Sequence, residues 1–189
     1  VVIAGAVIPA IILVALLVYS LGTNRVLAAP AADEALTIEV FGHQWWWEVR
    51  YQDEGSEDGE DVVTANEIVI PVGQPVRLEL TSVDVIHSFW VPQFITKLDM
   101  VPGRVNTFQA VTTTEGTFQG KCAELCGAYH AQMLFQVQVV SQDEYDAHIE
   151  GLRAAGKTGQ LGHDLDQYPL QDDQLPKLPA SLGRQEGDR

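Results

Sequence analysis

The stretch Cys122-Ala-Glu-Leu-Cys126-Gly-Ala-Tyr-His130-Ala-Gln-Met133 brings two thiols, an imidazole and a thioether into twelve residues. Both cysteines of the chain lie here, and one of its 2 methionines closes the run. Sulfur and imidazole are soft to borderline donors, a set that favours copper over hard cations. A mononuclear blue copper site uses one Cys, two His and a weak axial Met. The second cysteine exceeds that need, and two thiolates that each bridge would hold two coppers close together. A further imidazole has to come from elsewhere. His87, in Val85-Ile86-His87-Ser88-Phe89-Trp90, is the candidate, because it ends a β-like run upstream of the loop. Single-copper sites of the β-sandwich type divide their ligands in the same way, with one His from an early strand and the rest from a late loop.

The residues alone leave three other readings open. Cys122 and Cys126 could form a disulfide in an oxidising compartment, which leaves His130 and Met133 unexplained. Two Cys and a His suit zinc, but Met does not, and the paired short-spacing knuckles of a structural zinc module are absent. Met133 could also be a core residue at a strand start, since Met is a common gap filler.

Outward from the loop, short strand-like runs recur. Thr37 to Phe41 alternates, and Trp46 to Tyr51 reads as a second strand. Glu67 to Ile70 and Val76 to Leu80 follow, punctuated by Pro71, Gly73 and Pro75. Val105 to Thr112, Gly116 to Gly120 and Met133 to Val140 continue the series. Short strands at regular spacing argue for a β-sandwich or barrel, a frame able to hold rigid metal loops at one end. Ser141-Gln142-Asp143-Glu144 is a capping box and predicts a helix through about Ala155. From Gly156 on, Gly, Pro, Asp and Gln predict an irregular tail. The organisation expected is a membrane helix over 1–22, a linker over 23–34, a β-domain over 35–141, and a short helix with tail over 142–189.

Val1 to Leu21 is almost wholly apolar, and at ~1.5 Å rise per residue it nearly spans a ~30 Å hydrocarbon core. A signal peptide would carry a basic n-region, which is missing, and Ala28-Ala29-Pro30-Ala31-Ala32 only weakly imitates a cleavage site. The net charge is -15, from 26 Asp+Glu against 11 Lys+Arg, which argues against nucleic acid and suits a basic protein partner. The run Asp53 to Asp61 reads as a solvated acidic loop.

These residues together resemble subunit II of the haem–copper cytochrome c oxidases. The pieces stand in that family's order: Pro9-Ala-Ile-Ile-Leu13, Gly42-His-Gln-Trp-Trp-Trp47, Asp84-Val-Ile-His-Ser88, Val101-Pro-Gly-Arg104 and the Cys loop. Each short motif is weak, and the ordered set is specific. Quinol oxidases keep the fold but lack the Cys pair, so they fit less well. The resemblance implies a mainly β, cupredoxin-like Greek-key sandwich preceded by the second of the family's usual two transmembrane helices. It implies a dinuclear CuA centre held by His87, Cys122, Cys126, His130 and Met133 with the backbone carbonyl of Glu124. It also implies a magnesium ion, shared with subunit I, on the Glu124 carboxylate. Implied partners are subunit I, the other oxidase subunits and cytochrome c. The implied place is a membrane, the bacterial plasma membrane in preference to the mitochondrial inner one, with the copper domain on the periplasmic side.

By the same resemblance, Trp45 receives electrons from cytochrome c, and Asp84 belongs to the docking surface. Alternation alone would turn one of Trp45, Trp46 and Trp47 against the other two, partly into the core. His43 is expected to be a hydrogen-bonded structural histidine. Asp99 is either an acid near these motifs or a turn residue, and His148 and His163 are expected at the surface. The family often has a Glu at the position of Val2 that helps protons into subunit I, so that route would need another residue here. No C-x-x-C-H haem site is present. The expected role is an electron-accepting oxidase subunit, with the oxygen chemistry in subunit I. The alternatives are a free-standing, membrane-anchored copper carrier and a nitrous oxide reductase-like domain, for which 5 His are too few.

Overall fold

The computed structural model describes residues 2–27, 35–52, 61–94 and 97–161. Most of the acidic run, the linker from residue 28, and the tail from residue 162, with His163, lie outside the described residues.

Helix α1 spans Val2–Leu27. Its segment Ile3–Arg25 has a mean hydropathy of 2.5, and by length and composition it can cross a membrane. The helix runs past the expected boundary at residue 22, because no proline intervenes before Pro30 and the lone Gly22 is tolerated. Thr23 donates its hydroxyl back to the Tyr19 carbonyl at 3.1 Å.

Among its described residues, the second unit is a sandwich of ten strands: β1 Leu36–His43, β2 Trp46–Tyr51, β3 Val62–Ala65, β4 Glu67–Pro71, β5 Pro75–Ser82, β6 His87–Trp90, β7 Lys97–Met100, β8 Asn106–Val111, β9 Gly116–Cys122 and β10 Leu134–Val140. One sheet has the order β3-β2-β1-β5-β8 and the other β4-β10-β9-β6-β7. The chain passes repeatedly between the sheets, so each sheet has one parallel pair, β1 with β5 and β4 with β10. Burial alternates along β5 and β10, whereas β1, whose residues 37–41 alternate in the sequence, is buried from Ile38 on. Three strands escape that reading. β3, β6 and β7 have four residues each, too few for a period of two to stand out. His87 begins β6 rather than ending a strand, because Val83 to Ile86 forms the connection from β5.

Between the sheets, Trp47 meets Phe135 with ring centroids 4.9 Å apart, and Phe89 stacks on Phe135 at 4.7 Å. Gly120 lies opposite Phe135 in the β9–β10 ladder, where a Cβ would come within 2.2 Å of that ring. The missing side chain therefore lets the phenyl ring lie flat across β9. Helix α2, Gln142–Ala154, starts at the predicted capping box: the Ser141 hydroxyl accepts from the Glu144 amide, and the Glu144 carboxylate accepts from the Ser141 amide. Tyr145 turns its ring edge to Tyr51. His148, expected at the surface, is half-buried and faces Tyr51 as well, because it lies one turn beyond Tyr145 on the same helix face.

β1 and β2 are buried on both faces. Their outward row carries Glu39, His43, Glu48 and Arg50, all buried. Glu48 accepts from Arg50 Nε at 2.8 Å, pairs with His43 Nε2 at 3.2 Å, and accepts from the Leu161 amide at 3.1 Å. His43, stacked on Trp46, has the structural role expected of it. Glu39 faces Arg50 on β2 and Glu79 on β5, and accepts from Gln52 Nε2 at 2.6 Å. Burial raises the Glu39 pKa to about 7. Gln52 and Arg50 only partly oppose the shift, and Asp61 and Glu79 add to it.

The folded pKa of Glu39 lies above the unfolded value of 4.5, so its contribution is complete below that value and is lost as pH rises through about 7. Glu39→Gln stays neutral and still accepts from Gln52. Its melting temperature should match the parent near pH 4 and exceed it at pH 8. An equal difference at both pH values would contradict this.

Candidate metal centre

The Cys loop is the connection between β9 and β10. Its base is pinned where the Cys122 amide donates to the Met133 carbonyl at 3.0 Å. A short 3-10 turn over His130–Gln132 then aims His130 and Met133 back at the cysteines. Cys122 Sγ lies 3.8 Å from Cys126 Sγ, and both thiols are free and buried. His130 Nδ1 is 3.6 Å from Cys126 Sγ, and Met133 Sδ is 3.8 Å from the same sulfur. The Glu124 carbonyl is 3.1 Å from Cys122 Sγ, while the residue itself is exposed. His87 reaches in from β6, with Nδ1 3.9 Å from Cys122 Sγ. Ligand atoms of His87, Cys122 and Cys126 all lie within 4.8 Å of one another. All six residues singled out in the sequence therefore meet at one end of the sandwich.

The set is two thiols, two imidazole Nδ1 atoms, one thioether and one carbonyl oxygen. Sulfur dominates it, and that chemistry fits a soft ion. Met133 is fully buried but not a plain core residue, since its sulfur faces Cys126.

Asp84 orders this end of the molecule. Its carboxylate accepts from His87 Nε2 at 2.8 Å, from the Val85 amide at 2.6 Å and from the Gln44 amide at 2.6 Å. With Nε2–H donated to Asp84, His87 presents the lone pair of Nδ1 to the sulfurs. The docking expectation for Asp84 needs a carboxylate facing solvent. Here the side chain is only 12% exposed, and these three partners lie within the chain. Burial works against the charge of Asp84, but the His87 bond and the two amides outweigh it and hold the pKa below its usual value. Burial likewise opposes the charge on His87, and Asp84 and Cys122 raise its pKa in spite of it.

The two thiols are driven apart. Against burial, the interaction with His87 and backbone groups of Glu124 and Ser88 bring Cys122 down to about 6. Burial, then the neighbouring Cys122, push Cys126 up to about 12. A cation that takes both thiolates must therefore displace the second proton of the pair, which the first thiolate holds in place.

Trp45 is half-buried beside the loop, not fully exposed. Its Nε1 donates to the Cys126 carbonyl at 3.2 Å, and Gln44 Nε2 donates to the same oxygen at 2.6 Å. Gly127 has φ +124°, and a Cβ there would approach Trp45 Cζ2 to 2.8 Å, so the indole packs against bare backbone. Trp46 and Trp47 are buried, Trp47 in the core. Sequence reading passed over Gln44 as a second donor to Cys126. Its adjacency to Trp45 in the Gly-His-Gln-Trp motif was the available signal.

A family described as cytochrome c oxidase subunit II, periplasmic domain, matches residues 57–140. The crystal structure of the periplasmic domain of subunit II of cytochrome oxidase from Bradyrhizobium japonicum is 34% identical. It superposes with a TM-score of 0.60 over 67% of this chain and 97% of that one. The chain belongs to the cytochrome c oxidase subunit II family. Cytochrome c oxidase subunit 2 of Alkalihalophilus pseudofirmus is 43% identical over 153 residues, covering 78% of this chain and 43% of the relative. A probable cytochrome c oxidase subunit 2 of Streptomyces avermitilis is 54% identical over 90 residues, 48% of this chain and 28% of the relative. The chain thus spans less than half the length of these two curated relatives.

Within this subunit II fold, Asp84→Asn replaces one carboxylate oxygen with a donor and cannot serve all three partners. Affinity for a thiophilic ion, measured by competition with a chelator, should fall about 10–100-fold, the usual effect of losing a residue that orients a ligand. Unchanged affinity would mean that His87 is oriented without Asp84.

Proposed function

We propose that this chain is the electron-accepting subunit of a cytochrome c oxidase and holds a dinuclear copper centre. The observation that carries the reading is the convergence of two thiols, two imidazole Nδ1 atoms, a thioether and a carbonyl on one buried end of a subunit II sandwich. Cys122 and Cys126 would supply the thiolates, and His87 and His130 the imidazoles. Met133 would supply the thioether and Glu124 its carbonyl. Such a centre, when bound, supplies a one-electron relay.

The chain's own part is to hold the donors still and to bring a partner near. Asp84 fixes the His87 ring, and the 3-10 turn fixes His130 and Met133, so little rearrangement accompanies a change of charge. Trp45 is the electron-receiving residue: its indole lies on the loop and bonds to the carbonyl of a ligand residue. A basic cytochrome c is the donor, drawn by the net charge of -15. The acceptor is haem in subunit I, where oxygen is reduced to water with proton translocation. The exposed Glu124 side chain is free to give a hard oxygen to a magnesium ion completed by subunit I. α1 anchors the chain in the membrane, with the copper domain on the periplasmic side. A free-standing copper carrier has no use for the contact of Gln44 and Trp45 with the Cys126 carbonyl.

Metal analysis of the copper-loaded full chain should give two copper ions, with seven hyperfine lines or a collapsed pattern in electron paramagnetic resonance. One copper with four lines would refute the dinuclear reading. Cys122→Ser should lose the centre, because a hydroxyl is a far poorer copper donor than a thiolate.

Trp45→Phe should keep the copper and the fold, yet lower the electron-transfer rate from reduced cytochrome c by more than about tenfold, or ~1.4 kcal/mol of barrier. A wild-type rate in this variant would remove Trp45 from the electron path.

A further inference from the structure

Tyr129 lies within the ligand loop, directly before His130, and no role has been assigned to it. Its ring stands edge-on to the Trp45 indole, with centroids 5.0 Å apart and planes at 71°. It is 43% exposed, too open for a core residue. Its backbone is fixed, because its carbonyl accepts from the Gln132 amide at 2.9 Å inside the 3-10 turn. A large aromatic ring on a rigid backbone, half in solvent, thus meets the indole of Trp45.

That residue is held on two further sides. Gly127 lies against its six-membered ring, and the Cys126 carbonyl accepts from its Nε1. Gln44 Nε2 competes for the same carbonyl oxygen at 2.6 Å, shorter than the 3.2 Å of the indole bond. The indole bond is therefore the weaker of the two, and a tilt of the ring would break it. The Tyr129 ring, packed against the indole, resists that tilt. Electron tunnelling falls off exponentially with distance, so a small outward swing of the indole lengthens the path to the metal loop.

We propose that Tyr129 is a positioning residue for electron uptake: its ring pins the Trp45 indole against the Cys126 carbonyl. The inference rests on the reading of Trp45 as the electron-receiving residue. In the step concerned, one electron leaves the ferrous haem of the donor, which becomes ferric, and is taken up at the copper site. No covalent bond changes and no proton moves. The Tyr129 hydroxyl has no part in it, so the ring alone carries the effect.

The test uses the copper-loaded full chain in detergent, with reduced basic cytochrome c as donor and stopped-flow detection. Tyr129→Phe should behave as the parent. Tyr129→Leu should keep its copper and visible spectrum but transfer electrons about 3- to 10-fold more slowly at saturating donor, which converts to ~0.7–1.4 kcal/mol. Reduction by a small inorganic complex, which does not need Trp45, should be unchanged. In the metal-free chain, Tyr129→Leu should speed hydrogen exchange at the Trp45 indole N–H and at no other indole. In a Trp45→Phe background, Tyr129→Leu should add no further loss, as expected of residues acting through one contact.

Three results would overturn the proposal while leaving Trp45 in place: a parental rate and exchange in Tyr129→Leu beside a slow Trp45→Phe, fully multiplicative losses in the double variant, or loss of copper from Tyr129→Leu. A parental rate in Trp45→Phe would overturn the reading of Trp45 itself, and the proposal with it.

Discussion

The Asp84 carboxylate ties together the parts of the chain that make the metal end of the sandwich. One of its bonds reaches the turn between β1 and β2, one closes its own turn after β5, and one ends on the His87 ring. A mostly buried carboxylate is costly unless its oxygens are fully used, and three donors at short range meet that cost. Because the Gln44 amide is held there, the Gln44 and Trp45 side chains are in reach of the Cys126 carbonyl across the groove. The orientation of a ligand ring and the placement of a surface indole thus share one anion.

Behind this end, the sandwich resists movement through aromatic packing rather than through length of strand. Trp47, Phe89 and Phe135 make a contact from one sheet to the other directly under the site, and Trp47 also approaches His87. Interiors packed in this way transmit little slack. The electron relay proposed for this site would need that support, since every ångström of ligand motion adds to the barrier.

Much of this was legible in the sequence because the signals were local. Four of the five donor side chains lie close together in one loop, and the capping box needs only Ser141 and Glu144. What was hidden depends on contacts between distant segments. The inward turn of the Asp84 carboxylate depends on the Gln44 amide, forty residues earlier. The burial of Glu39, Glu48 and Arg50 runs against their usual exposure and is tolerated only through mutual pairing across β1 and β2, with Leu161 adding a donor from the far end of the domain. No period in β1 or β2 announces a strand with both faces covered, so a polar residue there reads as solvent-facing when it is not. The anchor helix shows the opposite error: its apolar core was plain, and only its polar last turn went unread.

The ligand loop has one more property. Every proposed donor except His87 lies from the last residue of β9 to the residue before β10, and the ladder is paired at Lys121 and Leu134. The loop is a cassette inserted into an otherwise continuous hairpin. A change in its length alone would leave the register at Lys121 and Leu134 in place, whereas a change at Cys122, Cys126 or Met133 would also reach the core. Its sulfur side chains therefore double as packing, and a loop built for another metal chemistry has to restore that volume as well as the ligands.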